Sequence, residues 1–250
     1  MSANSRRSFF KQAAAIGVAV SLPKLVDADD DATSTGVKGL KILFQGDSIT
    51  DGNRTRDNDR NHIMGHGYAY LIASRLGYDH PERQFHFYNR GISGNKVPDL
   101  DARWQTDTLG IKPDILSILI GVNDAQAALN DKANTAELYE KGYRDLLQQT
   151  KTALPGVVLV ICEPFILPVG RVKADWENWH RETAKRQAIA KALATEFNAV
   201  FVGLQDKFNE ALEKASADYW MWDGIHPMPA GHELIAREWL KAVKKGTKLV

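Results

Sequence analysis

The chain has 250 residues, 44% hydrophobic and 25% charged, the balance of an ordinary globular protein. Setting aside a leader leaves roughly 220 residues, enough for one domain around one well-buried core. A net charge of +1 argues against a nucleic-acid or polybasic membrane surface, and the lone cysteine, Cys162, excludes an internal disulfide.

The chain opens with Ser5-Arg6-Arg7-Ser8-Phe9-Phe10-Lys11, followed by a short apolar run, Ala13 to Leu22, and an acidic exit, Asp27 to Asp31. A charged start, an apolar middle and a polar exit predict a signal peptide over 1–28. Its paired arginines resemble the twin-arginine export signal. The alternative is the basic start of a cytoplasmic helix. The apolar run is too short for a stable membrane span, so the mature protein is expected to be exported, periplasmic or extracellular. Residues 29–38, rich in Asp, Ser, Thr and Gly, read as a linker to a domain over 39–250.

Within that domain, short β-branched and aromatic runs predict strands at Lys41–Gln45, Phe85–Asn89, Ile115–Ile120, Val157–Ile161 and Ala199–Val202. Longer amphipathic segments predict helices at Gly67–Leu76, Val97–Asp107, Thr135–Ala153, Trp179–Phe197, Gln205–Ala215 and Ala230–Lys245. Continuously apolar strands alternating with helices argue for a parallel sheet covered on both faces. Ligands of such sheets bind outside the carboxyl ends of the strands. The turns there are Gly46-Asp47-Ser48-Ile49-Thr50, Gly91-Ile92-Ser93-Gly94-Asn95 and Gly121-Val122-Asn123-Asp124. Trp222-Asp223-Gly224-Ile225-His226-Pro227, ahead of the last helix, is a fourth segment that can return to the same rim.

Those turns hold the parts of an acyl-transfer site. A serine hydroxyl needs a base, histidine titrates near neutrality, and a carboxylate on the second ring nitrogen fixes the tautomer. Ser48, His226 and Asp223 supply the three. The backbone N–H groups of Ser48 and Gly94 and the amide of Asn123 are candidate oxyanion donors. Singly, each residue has an ordinary explanation: Ser48 and Asn123 as helix caps, Gly94 and Asp223-Gly224 as turns, His226 as a structural imidazole. Their conjunction at four ordered positions does not.

The four blocks, Gly46-Asp47-Ser48, Gly94 in Ile92-Ser93-Gly94-Asn95, Gly121-Val122-Asn123-Asp124 and Asp223-Gly224-Ile225-His226-Pro227, resemble those of the SGNH (GDSL-type) hydrolases over about residues 40–240. The resemblance implies a three-layer α/β/α sandwich, flavodoxin-like, with a five-stranded parallel sheet. It implies Ser48 as nucleophile, Asp223 and His226 completing a triad, and Ser48, Gly94 and Asn123 forming the oxyanion hole. Asp47-Ser48-Ile49-Thr50-Asp51, His66-Gly67-Tyr68, Arg103-Trp104 and Glu163-Pro164-Phe165 are similar to bacterial members related to acetylxylan esterases. The G-x-S-x-G elbow of the α/β-hydrolases is missing.

A small ester or acetylated carbohydrate such as acetylated xylan is therefore the expected substrate, with a lysophospholipase or thioesterase activity as the alternative. Candidate substrate contacts are Asp47, Phe165, Trp220 and Trp222, with Phe165-Ile166-Leu167 walling a small acyl pocket and the tryptophans stacking on sugar. The segment from Asn53 to His66 is rich in Arg, Asp and Asn, unlike the apolar lid of a long-chain lipase. No cofactor and no metal is expected. A phosphate or flavin site at the first turn is opposed by Asp47 and Asp51. A metal site at His62 and His66 needs a helix that Gly65 and Gly67 disfavour. No nucleic-acid partner is expected, and self-association as a homo-oligomer is left open.

Overall fold

β1 (Lys41–Gly46) alternates its side chains between two apolar layers, Ile42 and Phe44 to one and Leu43 to the other. β3 (Ile115–Leu119) and β4 (Val158–Cys162) do the same, so all three are buried on both faces. With β2 (His86–Asn89) and β5 (Val200–Val202) they form one parallel sheet of order β2-β1-β3-β4-β5. This is the computed structural model of the chain; it describes residues 39–57 and 59–247. The signal peptide expected over 1–28 and the linker expected over 29–38 lie outside the described residues.

In chain order the helices are α1 (Ser48–Asp51), α2 (Tyr68–Asp79), α3 (Val97–Asp101), α4 (Val122–Asn130), α5 (Ala136–Ala153), α6 (Gly170–Lys173), α7 (Trp176–Glu196), α8 (Gln205–Ala211), α9 (Ala217–Trp220) and α10 (Pro229–Gly246). Tyr68 and Ile72 of α2, Phe208 of α8 and Trp239 and Val243 of α10 join Ile42, Phe44 and Val160 in one layer. Val97 and Leu100 of α3, Tyr143 and Leu146 of α5 and Leu193 of α7 join Leu43, Leu116 and Ile161 in the other. The result is the expected three-layer α/β/α sandwich. The chain reverses its direction of winding between β1 and β3, and there the turns after β2, β1 and β3 lie side by side.

Two expectations needed revision. The helix expected over Val97–Asp107 stops at Asp101, and a wide π-turn follows over Gln105–Leu109. The cause is a side chain inserted into the helical ladder: Gln45, buried on β1, donates its amide to Asp107 O at 3.2 Å and to Thr108 Oγ1 at 2.8 Å. The sequence predicts no helix where α4 stands, only a cap at Asn123, because the buried side of α4 is just Val122, Asp124 and Ala125, too thin a stripe to read as a helix. Among the described residues no helix is long and apolar enough to cross a membrane.

Candidate active site

β1 runs directly into α1. Asp47 is the N-cap of that helix, its carboxylate accepting the Ile49 N–H at 3.0 Å. Ser48 is thereby the first helical residue, at the carboxyl end of a central strand. Its Oγ lies 2.7 Å from His226 Nε2. His226 Nδ1 lies 2.8 Å from Asp223 Oδ2, while Asp223 Oδ1 accepts the N–H groups of Ile225 (3.0 Å) and His226 (2.8 Å). An ionised carboxylate only accepts, so the ring proton sits on Nδ1 and leaves Nε2 as an acceptor toward Ser48. Burial works against that ionisation, but the His226 imidazole and the two backbone N–H groups outweigh it and hold Asp223 at about 2.

Arg171 of α6 adds a contact, its Nε 3.1 Å from Asp223 Oδ2. Gly170 makes the approach possible. It has φ +54°, and a Cβ there would fall 2.4 Å from Asp223 Cα.

The two turns flanking Ser48 carry the other expected donors. Asn123, the second residue of α4, donates one amide hydrogen to Asn95 O at 3.1 Å. The bond orients its second amide hydrogen and ties the turn after β3 to the one carrying Gly94. Asp124 repeats the tie one residue on, accepting the Val97 N–H at 3.1 Å, and its burial raises it to about 6. From the Ser48 side, Asp51 Oδ2 accepts from Ser93 N at 3.1 Å and from Ser93 Oγ at 3.3 Å. Burial of Asp51 disfavours its charge, but Arg56, 2.6 Å away, more than reverses that. Arg103 reaches Gln45 Oε1, Arg90 O and Asn95 Oδ1, pinning the turn after β2 to the end of β1.

Ser48, Ile49, Ser93, Trp222, His226 and His232 line a cleft of about 480 Å³. Trp222 is 64% exposed and stacks on His226 with centroids 6.2 Å apart.

Three expected substrate contacts lie elsewhere. Asp47 is fully buried and spent on capping α1. Phe165 packs on Phe208 at 4.5 Å, and Ile166 and Leu167 are buried with it. Gln205 holds that segment inward by bonding both Ile166 N and Ile166 O. Trp220 donates to Ala215 O and lines a separate groove with Lys207, Lys214 and Arg237. His62 pairs with Asp59 at 2.5 Å in a turn, so the His62/His66 spacing does not share a helix face. The sequence gives no expectation of these roles for Asp51, Asp124, Arg103 and Arg171; the Asp51–Ser93, Asp124–Val97, Arg103–Gln45 and Arg171–Asp223 contacts join residues 27 or more positions apart, too far for spacing to reveal.

The Asp47 carboxyl has a measurable consequence. Burial, partly opposed by the Ile49 N–H and the nearby His226, raises it from 3.8 to about 7. Between those values the folded chain keeps a proton that the unfolded chain has lost, so this group's destabilising effect grows from pH 4 to pH 7 and is complete above. Asp47→Asn keeps the acceptor for Ile49. Its melting temperature relative to the wild type is expected to rise from pH 4.5 to pH 8. A difference that stays level with pH would show that Asp47 is not held protonated.

A parallel α/β/α sheet carrying a hydroxyl, an imidazole and a carboxylate in line at its carboxyl edge has the arrangement of a carboxylic ester hydrolase. Residues 44–234 match the GDSL-like Lipase/Acylhydrolase family, and the chain belongs to that family. It is 35% identical to an acetylxylan esterase of Geobacillus stearothermophilus over 213 residues, 82% of this chain and 94% of that protein. The crystal structure of that organism's acetylxylan esterase Axe2 superposes with a TM-score of 0.72 at 34% identity, covering 82% and 94% of the two chains. Further structures of Axe2 include catalytic mutants at one serine and one aspartate. A GDSL-like lipase candidate from Parabacteroides merdae gives a TM-score of 0.79 at 43% identity, covering 83% of this chain and 96% of that one.

Proposed function

We propose that this esterase removes short acyl groups, acetyl foremost, from carbohydrate such as acetylated xylan through an acyl-enzyme on Ser48. His226 Nε2 takes the Ser48 proton as Oγ attacks the ester carbonyl, and the carbonyl oxygen becomes an oxyanion. The N–H groups of Ser48 and Gly94 and the free amide hydrogen of Asn123 stabilise it. His226 then gives its proton to the departing alcohol. Water, deprotonated by the same nitrogen, attacks the acyl-enzyme and releases the carboxylic acid with Ser48 restored. Asp223 holds the imidazole and stabilises its charged form.

The observation that carries this is the unbroken relay from Ser48 Oγ to Asp223, 2.7 Å and 2.8 Å long, opening on a cleft of about 480 Å³. The exposed face of Trp222 beside His226 suits a sugar ring, and the esterase relative acting on acetylxylan supports the same substrate class. The test is a panel of acetyl to octanoyl nitrophenyl esters with acetylated xylan and acetylated xylose, with acetate release measured. Acetyl esters and the acetylated sugars are expected to be cleaved best. A preference for octanoyl with no acetate from xylan would point to a lipid ester instead.

The Arg6-Arg7 pair and the run after it support export by the twin-arginine route. Replacing both arginines by lysine is expected to strand the full-length precursor in the cytoplasm of a producing bacterium. Export of that variant at the normal level would refute this route and leave the chemistry untouched.

A further inference from the structure

His232 is the fourth residue of α10, and its ring lies in the cleft with Ser48 and His226 while being only 8% exposed. The N–H of Tyr68, first residue of α2, donates to its Nδ1 at 3.2 Å. The N-cap of α2 is Gly67, which has no side chain to satisfy that helix end, and the imidazole does so instead. Gly67 also makes the room: a Cβ there would stand 3.1 Å from His232 Cε1 and 3.3 Å from Nδ1. The Gly67-Tyr68 step is thus the seat of a ring that comes from 164 residues further along the chain.

An Nδ1 that accepts a hydrogen bond carries no proton, so the neutral ring must bear its proton on Nε2. Burial, with His66 and His226 adding to it, pushes His232 down to about 4, which keeps the ring neutral at pH 7. No described residue accepts the Nε2–H. Nor is Nε2 one of the enclosed polar atoms left without a partner among the described residues, and His232 is one of the residues that line the cleft. A donor fixed beside a nucleophile needs no reorganisation when an acceptor arrives. The cleft, about 480 Å³, is far larger than the methyl of an acetyl group, so most of its volume serves the alcohol portion of the ester.

We propose that His232 is a substrate-binding residue whose Nε2–H donates to a hydroxyl oxygen on the alcohol portion of the ester, so that the cleft selects polyol esters over plain alkyl esters. This deepens the carbohydrate-ester reading and rests on it for the identity of the alcohol.

Two substitutions separate the two ring nitrogens. Asparagine places an acceptor where Nδ1 stands and nothing at Nε2. Glutamine places an amide at Nε2 and nothing at Nδ1. The substrates are 2-hydroxyethyl acetate and propyl acetate, which differ by one hydroxyl beside the ester. Wild type is expected to favour the hydroxylated ester about 10-fold in kcat/KM, the effect of one neutral hydrogen bond. His232→Asn is expected to bring that ratio near unity while keeping its melting temperature. His232→Gln should keep the ratio and melt lower. A wild type indifferent to the hydroxyl, or an asparagine variant that keeps the preference, overturns the proposal. Should the asparagine variant fail to fold, a folded glutamine variant without the preference overturns it equally. Acetylated xylose, assayed alongside, judges the sugar reading separately: its resistance to wild type would remove xylan as substrate while the hydroxyl ratio still decides the role of His232.

Discussion

Replacing Ser48 by alanine is expected to lower kcat by about 10⁶ with the fold intact, the loss seen where serine, histidine and aspartate act as a unit. Among the described residues the side-chain oxygen has one partner, His226 Nε2, so its removal leaves no buried group stranded and the melting temperature should barely move. KM should change little, because Oγ acts mainly as the bond forms. A serine-directed phosphonate should label wild type at Ser48 and leave the alanine variant unlabelled. Turnover retained within 100-fold of wild type would mean that water, activated by some other group, attacks the ester directly.

What the sequence disclosed follows a physical division. Ser48, Gly94 and Asn123 stand in short polar turns at the ends of apolar strands, and the parallel-sheet rule alone sends such turns to one rim. Asp223 and His226 are three residues apart, so one tight turn holds both, and local spacing was enough. Arg171 and Asp223 are 52 positions apart, and the Asp51–Ser93 bond spans 42; no periodicity encodes such pairs. Phe165-Ile166-Leu167 failed for another reason. An apolar run after a strand reads the same whether it walls a cavity or fills a core, and Gln205, which decides the matter here, lies in another helix. Trp220 and Trp222 show how fine the distinction is. Between them Met221 pairs with Pro227 as an isolated antiparallel bridge. That extended step leaves Trp222 stacked on His226 in the cleft and Trp220 in the neighbouring groove. Composition could mark both as aromatic but could not assign the side.

Asp223→Asn is expected to cost as much as ~10⁴ in kcat, and the hydrogen bonds around the carboxylate say why. Oδ1 accepts two backbone N–H groups, from Ile225 and His226. An asparagine must keep its oxygen there, because turning its NH₂ toward two donors would lose both bonds. The NH₂ then stands where Oδ2 was, facing His226 Nδ1. A donor at that place demands an acceptor, so the imidazole shifts its proton to Nε2 and presents N–H to Ser48 Oγ. Nε2 can no longer take the serine proton, although every heavy atom is in place. Arg171, 3.1 Å from Oδ2, would at the same time lose its anionic partner. The variant should therefore fold and bind substrate near normally while turning over very slowly. Asp223→Ala, which lacks the misplaced donor, should be the more active of the two if the wrong tautomer is the cause. Equal loss in both would assign the effect to the missing charge, and near-normal turnover in both would reduce the relay to Ser48 and His226 alone.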